Sequence, residues 1–337
     1  MITQKRIAVN HKNDNCYLLR NLYFAIRHVI MVNMKQSTVL VGGGVIARHY
    51  KRGLEKSNTL QLTALVDVNP DCVARDCYSV PFFTDVSDAL ALNPRIALLA
   101  LSLAARDEVA RKLMRQGVAV LTEKPMLGSL QEVEALLAYA NECRTPLACL
   151  FHWKAANEVR YLKNNLPRLG KITEISATVH DDYAATPNGA IRPDRVGLMG
   201  AWIDSGINIL SYYDEIIDLS EAVLREEIIL PDRESGLPKY AKKVFDASGV
   251  RAEIIVDWRT QSRQKTSRIT CGLGTLFVDH TAQTVELNGE TVFASPVEDR
   301  LSSHYENLFF DLSFQSLAQS QKSTLLLHKL LFTGNAR

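Results

Sequence analysis

The run Gly42-Gly43-Gly44-Val45-Ile46-Ala47 constrains this chain more than any other feature. It follows a short β-rich stretch, Ser37–Val41, and opens a stretch with helical spacing, Val45–Leu54. A glycine-rich turn between strand and helix suits a pyrophosphate: Gly42 permits the tight turn, Gly44 lets the anion approach the backbone, and Ala47 allows the helix to pack closely on the sheet. The free N–H groups and partial positive charge of the helix start, at Val45 and Ile46, complete the cradle with Gly43. A second apolar run, Leu62–Val66, ends at Asp67, 23 residues after Gly44. An acid at that place bonds the ribose hydroxyls of an adenine dinucleotide. Without a ligand the same residues would be a tight turn and a surface aspartate, and the combined spacing favours the dinucleotide.

Strand and helix patterns go on alternating. Ile96–Leu101 and Val118–Leu121 read as strands, with the helical run Ala105–Gln116 between them stopped by Gly117. Ser129 and Glu132 form a capping-box pattern before a helix whose apolar face holds Leu130, Val133, Leu137 and Ala140, and Leu147–Phe151 reads as a sixth strand. Near-continuous apolar strands alternating with helices imply a parallel sheet covered on both faces. After residue 152 the order changes. Helices are expected at Ala155–Leu166 and Ala201–Leu219. Strands are expected at Ile172–Val179, Ala222–Leu230, Lys242–Phe245, Arg251–Trp258, Ser267–Cys271 and Thr275–Asp279, with a hairpin around Asn288-Gly289. Helices Tyr305–Ala318 and Thr324–Phe332 close the chain. The expected class is α/β: a doubly wound Rossmann domain over 34–152, then an α+β substrate and oligomerisation domain over 153–337 with a large, mainly antiparallel sheet. Met34 stands just before the first strand, so 1–33 reads as an extension; if it is dispensable, a chain starting at Met34 folds and keeps its cofactor affinity, and if Cys16–Val32 packs on the core, that truncation loses soluble protein.

Composition narrows the function. Of the 337 residues 23% are charged and the formal net charge is +2, with basic residues scattered, which gives no electrostatic case for nucleic acid. The six cysteines form no Cys-x-x-Cys pair and no zinc spacing with histidine, so no metal site is expected and the thiols read as free in a reducing compartment. Arg20, Arg27 and His28 interrupt the longest apolar stretch, Cys16–Val32, which argues against a membrane helix or a signal peptide. The expected location is cytoplasmic.

Two further motifs carry chemistry. Thr122-Glu123-Lys124-Pro125 follows the strand Val118–Leu121, at the carboxyl end where doubly wound sheets place ligands. Together with Leu101 and Ser102 at the preceding strand end, Glu123 and Lys124 are candidate cofactor contacts. Lys124 would lie beside the nicotinamide, and Pro125 is suited to a cis bond that fixes the turn. An exposed loop lysine is the plainer alternative. Asp204-Ser205-Gly206-Ile207-Asn208 places Asp204 and Asn208 four apart on one helical face, among Trp202, Ile203 and Ile209. That pattern fits polar atoms aimed into a pocket, and equally a capping aspartate with a satisfied buried asparagine.

In this order the motifs resemble the Gfo/Idh/MocA oxidoreductases over about 300 residues, from Ser37 onward. Gly117-Val118-Ala119-Val120-Leu121-Thr122-Glu123-Lys124-Pro125 is similar to the family's G-K-H-V-L-x-E-K-P, and Asp204-x-Gly206-x-Asn208 to its D-x-G-x-H, with Asn208 where most members have histidine. Asparagine there resembles the L-arabinose/D-galactose 1-dehydrogenase branch. Phe151-His152-Trp153-Lys154 is similar to its W-H-x-R and Asp257-Trp258-Arg259 to its D-W-R, while Ser205 replaces proline and the loop Asp181–Asp194 does not clearly match. The resemblance implies an NAD-dependent enzyme, with NADP also compatible, that oxidises an aldose at C1 to the lactone. Lys124 would be the base, Asp204 would orient or relay, Asn208 would hold a hydroxyl, and His152 and Trp258 would line the sugar site. Oxidation or reduction of another polyol, ketone or imine, or a non-catalytic sugar or dinucleotide sensor, are the alternatives. A homodimer or homotetramer through the second sheet is implied, since Ile254 and Val256 point to one side of their strand and Ile255 to the other.

Overall fold

The computed structural model describes residues 35–334; the expectations for 1–33 lie outside them. Six parallel strands form the first sheet: β1 (Gln36–Val41), β2 (Leu60–Val66), β3 (Phe82–Phe83), β4 (Ile96–Leu99), β5 (Ala119–Glu123) and β6 (Leu147–Leu150), in the order β3-β2-β1-β4-β5-β6. Their side chains alternate between two cores. Val39, Val41, Ala97, Leu99 and Val120 face one, and Leu40, Leu65, Leu98, Leu121 and Leu150 the other. Burial on both faces is why these strands read as unbroken apolar runs. The chain reverses direction across the sheet between β1 and β4, and ligands bind outside the strand ends at such a switch point.

Helix α1 (Val45–Lys56) covers the Leu40 face. Helix α2 (Val86–Leu90), capped by Asp85, was not anticipated, since it spans little more than one turn. On the Val39 side lie α3 (Leu103–Met114) and α4 (Leu130–Glu142), the latter capped by Ser129 as its sequence suggests.

The second sheet has eight strands in the order β14-β13-β12-β11-β7-β10-β9-β8. They are β7 (Glu174–His180), β8 (Val223–Pro231), β9 (Pro238–Ala247), β10 (Val250–Asp257), β11 (Lys265–Cys271), β12 (Gly274–Asp279), β13 (Thr284–Leu287) and β14 (Glu290–Ala294). Only β7 and β10 pair in parallel. Its inner face, with Ala177, Ile254, Ile269 and Val278, is buried. Helix α5 (Asn157–Leu169) precedes this sheet.

Two places depart from the sequence pattern. The expected helix Ala201–Leu219 is a π-helical turn, Trp202–Gly206, running into a short α6 (Ile207–Tyr213). The closing helices run Arg300–Phe309 (α7) and Phe314–Phe332 (α8), so the break falls ahead of Ser313 rather than near residue 320. Ser313 and Ser316 cap each other's backbone and start α8 there, while Asp299 caps α7, accepting from Ser302 N at 3.0 Å. Both helices turn back to the first sheet, α7 against α1 and α8 along β6 and α4. They stand after the second sheet in sequence, yet Tyr305, Phe309 and Leu317 complete the core under Leu40.

Candidate active site

The glycine turn adopts the predicted geometry. Gly42 has φ +97°, and a Cβ there would lie 2.4 Å from Ala100 O of the β4 end. A Cβ on Gly43 would lie 2.2 Å from Cys72 Sγ. A Cβ on Gly44 would meet nothing within 4 Å, so this glycine faces open space at the start of α1. Asp67 braces the turn: Oδ2 accepts from Gly43 N at 2.6 Å and Oδ1 from Asn69 N at 2.8 Å. Ala47 is fully buried, and Ile46 packs at the edge of the same core. Val45 is 64% exposed and Val68 86%. Two exposed valines beside an open glycine turn suit an aromatic base or ribose laid across them. Ser102 is exposed at the start of α3 and its side chain caps nothing, while Leu101 is half-buried. Open space at Gly44, a helix start and an acid ending β2 fit a dinucleotide.

The Lys124–Pro125 bond is cis, and the turn it makes is held from three directions. Arg106, nearly buried on α3, donates to Leu101 O (3.0 Å), Glu123 O (2.8 Å) and Pro125 O. Glu123 turns its carboxylate inward, where Oε1 accepts from Tyr50 (2.5 Å) and Tyr305 (2.6 Å). Its side chain is therefore an anchor to α1 and α7 rather than a group facing the open cleft. Burial first, and then the Glu123 charge, hold both phenols well above their ordinary value, so they remain donors. On the far side His328 Nε2 accepts from Met126 N at 2.9 Å, while its Nδ1 bonds Thr324 O at 2.7 Å. Burial lowers that imidazole to about 4, which keeps Nε2 an acceptor. None of Tyr50, Arg106, Tyr305 or His328 was found from sequence. The one available signal was a buried-type aromatic or basic residue on a helix face, which is too common to single out.

Lys124 Nζ donates to Asp204 Oδ1 at 2.6 Å and to Asp204 O at 2.9 Å. The two side chains are 14% and 17% exposed, so the pair is partly open to solvent. A π turn widens the helical ladder by one residue, and such turns recur where a helix must aim a side chain. Asn208 Nδ2 donates to the same Asp204 O at 3.2 Å, which leaves its Oδ1 buried without a partner. Ser205 Oγ meets Asp181 Oδ2 at 3.4 Å, and Lys265 pairs with Asp181 at 2.8 Å. His152, almost fully buried in the turn after β6, bonds His304 through Nδ1 at 3.0 Å. Trp258 is wholly buried and offers no open surface. Tyr183, half-buried and set edge-on against it at 5.0 Å between ring centres, carries the outer surface. The structure thus brings Lys124, Asp204 and Asn208 together and puts Trp258 one layer behind. Among the described residues no cluster of His, Cys, Asp and Glu could hold a metal, and no helix is long and apolar enough to cross a membrane.

Residues 37–149 match the Gfo/Idh/MocA oxidoreductase family, NAD-binding Rossmann fold. No curated protein matches the chain in sequence. Solved structures share the fold across both sheets. An oxidoreductase from Agrobacterium radiobacter, in complex with NAD+, L-tartaric acid and magnesium, is 14% identical with a TM-score of 0.73, covering 88% of this chain and 94% of that one. D-galactose-1-dehydrogenase from Rhizobium etli is 20% identical with a TM-score of 0.69, covering 88% and 93%. A 3-ketoreductase from Actinomadura kijaniata, in complex with TDP-benzene and NADP, is 15% identical with a TM-score of 0.70, covering 90% and 98%. The matched family binds NAD through a Rossmann fold, and Gly42, Gly43, Gly44, Val45, Ile46 and Asp67 are the candidate residues for that cofactor.

Asp67 bears on the choice between the two forms. Its carboxylate ends β2, the place at which an acid bonds the adenosine ribose in dinucleotide folds, and Val68 and Asn69 after it carry no positive charge. Like charges brought together at a binding site cost several kcal/mol. NADH is expected to bind at least about tenfold more tightly than NADPH, and Asp67→Ser to narrow the gap. Tighter NADPH binding in a fluorescence titration would contradict this.

Proposed function

We propose that this oxidoreductase oxidises an aldopyranose at C1 to the lactone, with NAD as the hydride acceptor. The observation that carries the reading is the contact of Lys124 with Asp204, partly exposed at the β5 end of the dinucleotide domain, with Asn208 one turn on. A bound nicotinamide would supply the acceptor for the C1 hydride. The chain must then handle the hydroxyl proton. Lys124 Nζ passes a proton to Asp204 Oδ1 and accepts the hydroxyl proton in its place. Asn208 has no titratable group and serves as a hydrogen-bond partner to a sugar hydroxyl, for which its unpartnered Oδ1 is an acceptor. His152 adds a polar contact, and Tyr183, backed by Trp258, an apolar one.

Support for the C1 position comes from asparagine at 208 and from the likeness to a D-galactose-1-dehydrogenase. The 3-ketoreductase and the tartrate-bound oxidoreductase share the fold equally well, so another polyol, ketone or imine is the second reading and a sensor the third. The proposal includes a homodimer or homotetramer through the outer face of the second sheet, where Ile228, Lys242 and Ile255 lie in register. A panel of pentoses, hexoses and inositols, read by NAD+ and NADP+ reduction, tests the function. Galactose or arabinose is expected to lead. An inositol leading would move the reading to polyols, and no turnover with any would leave the sensor.

A further inference from the structure

His152 and His304 form a pair that the proposed mechanism leaves unexplained. His152 sits in the turn after β6, and His304 on α7 is brought to it from 152 residues away. Both are buried, and their rings stack with centres 5.3 Å apart. Burial is the main cause holding His152 well below its ordinary value and lowering His304 to about 3, so both rings are neutral. Two neutral imidazoles meeting Nδ1 to Nδ1 at 3.0 Å must be opposite tautomers, one donating and one accepting. His152 Nε2 makes no hydrogen bond among the described residues, so it is the ring atom left for a substrate.

Two buried orphan atoms and the surrounding charges bear on the direction. Arg300 acts on both rings and is the largest charge at His304, while His49 also acts on His152 and His280 on His304. The charges that differ in sign between the two ends are Lys124, which acts on His152, and Glu158, which acts on His304. A cation favours a lone pair turned toward it, and a carboxylate favours an N–H. His304 Nε2 and Glu158 Oε2 are both buried without partners, and an N–H on the first is complementary to the second. We propose that His304 is a positioning residue for His152: its Nδ1 accepts the His152 Nδ1–H, so that the lone pair of His152 Nε2 is offered to a substrate hydroxyl. The role toward substrate rests on the sugar-site reading of His152; the hydrogen bond and its direction do not. The next residue, Tyr305, anchors Glu123, so α7 would brace both walls of the site.

Two measurements test this. In protein labelled with 15N-histidine, with signals assigned through His152→Asn and His304→Asn, His152 is expected to carry its proton on Nδ1 and His304 on Nε2; the reverse pattern overturns the proposal. In kinetics, His304→Phe is expected to lower kcat/KM for the sugar about 10- to 100-fold, the scale of a misplaced contact, with NADH binding within twofold of the wild type. His304→Asn sets its amide near the Nδ1 position and is expected to recover most of that loss, whereas His304→Gln sets it near Nε2 and is not. Equal activity of the Asn and Gln variants overturns the proposal, even where the Phe variant fails to fold. A wild-type protein that oxidises no sugar sinks the proposed function, while the NMR pattern still decides the hydrogen bond.

Discussion

Lys124→Met is expected to cut turnover by about 10²–10⁴-fold, the usual scale of general-base catalysis, with dinucleotide affinity nearly unchanged. The reason lies in how the two functions are divided. The proposed phosphate cradle lies at Gly42–Ala47, between β1 and α1, whereas Lys124 follows β5 and its ammonium bonds Asp204. Methionine keeps most of the stem volume and removes the proton acceptor. Asn208→Ala is expected to behave differently, raising the Michaelis constant more than it lowers turnover, because Asn208 binds without exchanging a proton. The measurement is steady-state kinetics on the best substrate of the sugar panel, alongside an NADH titration. Turnover near wild type in Lys124→Met would remove Lys124 as the base and leave His152 as the nearest alternative.

The second large effect separates two glycines of one motif. Gly42→Ala is expected to destabilise the fold by about 3 kcal/mol or more, since it combines an unfavourable backbone conformation with a backbone clash. The added Cβ would lie 2.4 Å from Ala100 O and 2.7 Å from Ala100 C, atoms that cannot swing aside as a side chain can. Gly44→Ala places its Cβ in open space at an ordinary φ of −73°. It should fold with a melting temperature close to the parent and lose dinucleotide affinity, because the methyl stands where the pyrophosphate approaches. Thermal unfolding and NADH titration of the two variants check this. A Gly44→Ala protein that binds NADH as tightly as the parent would mean the cofactor does not lie over that turn.

The legibility of the site follows from the range of each signal. Gly42–Ala47, Asp67 and Lys124 could be read because each is tied to a local element: a strand end, a turn, a helix start. Asp204 and Asn208 were readable as a pair four residues apart, but their helix was not readable as a π turn. That turn depends on how Trp202, fully buried with its indole bonded to Leu331 O at 2.6 Å, docks against α8. Glu123 stands in a readable motif, yet its inward orientation depends on tyrosines 73 residues before it and 182 after it. Trp258 could be named as an aromatic near the site, and only packing against Tyr183 determines that it lies behind the surface.

The parallel sheet, the glycine turn, the run of later strands and the two motifs that carry Lys124 and Asp204 are all legible in the chain. Each of these is written in hydrophobic period or in residues that few backbone conformations accept. Tertiary structure alone decided that α7 and α8 return to the first sheet, that Arg106 and His328 hold the cis-proline turn, and that His304 meets His152. Those contacts join residues far apart in the chain. Buried polar groups must find partners wherever the fold brings them, and no local pattern records which partner that will be.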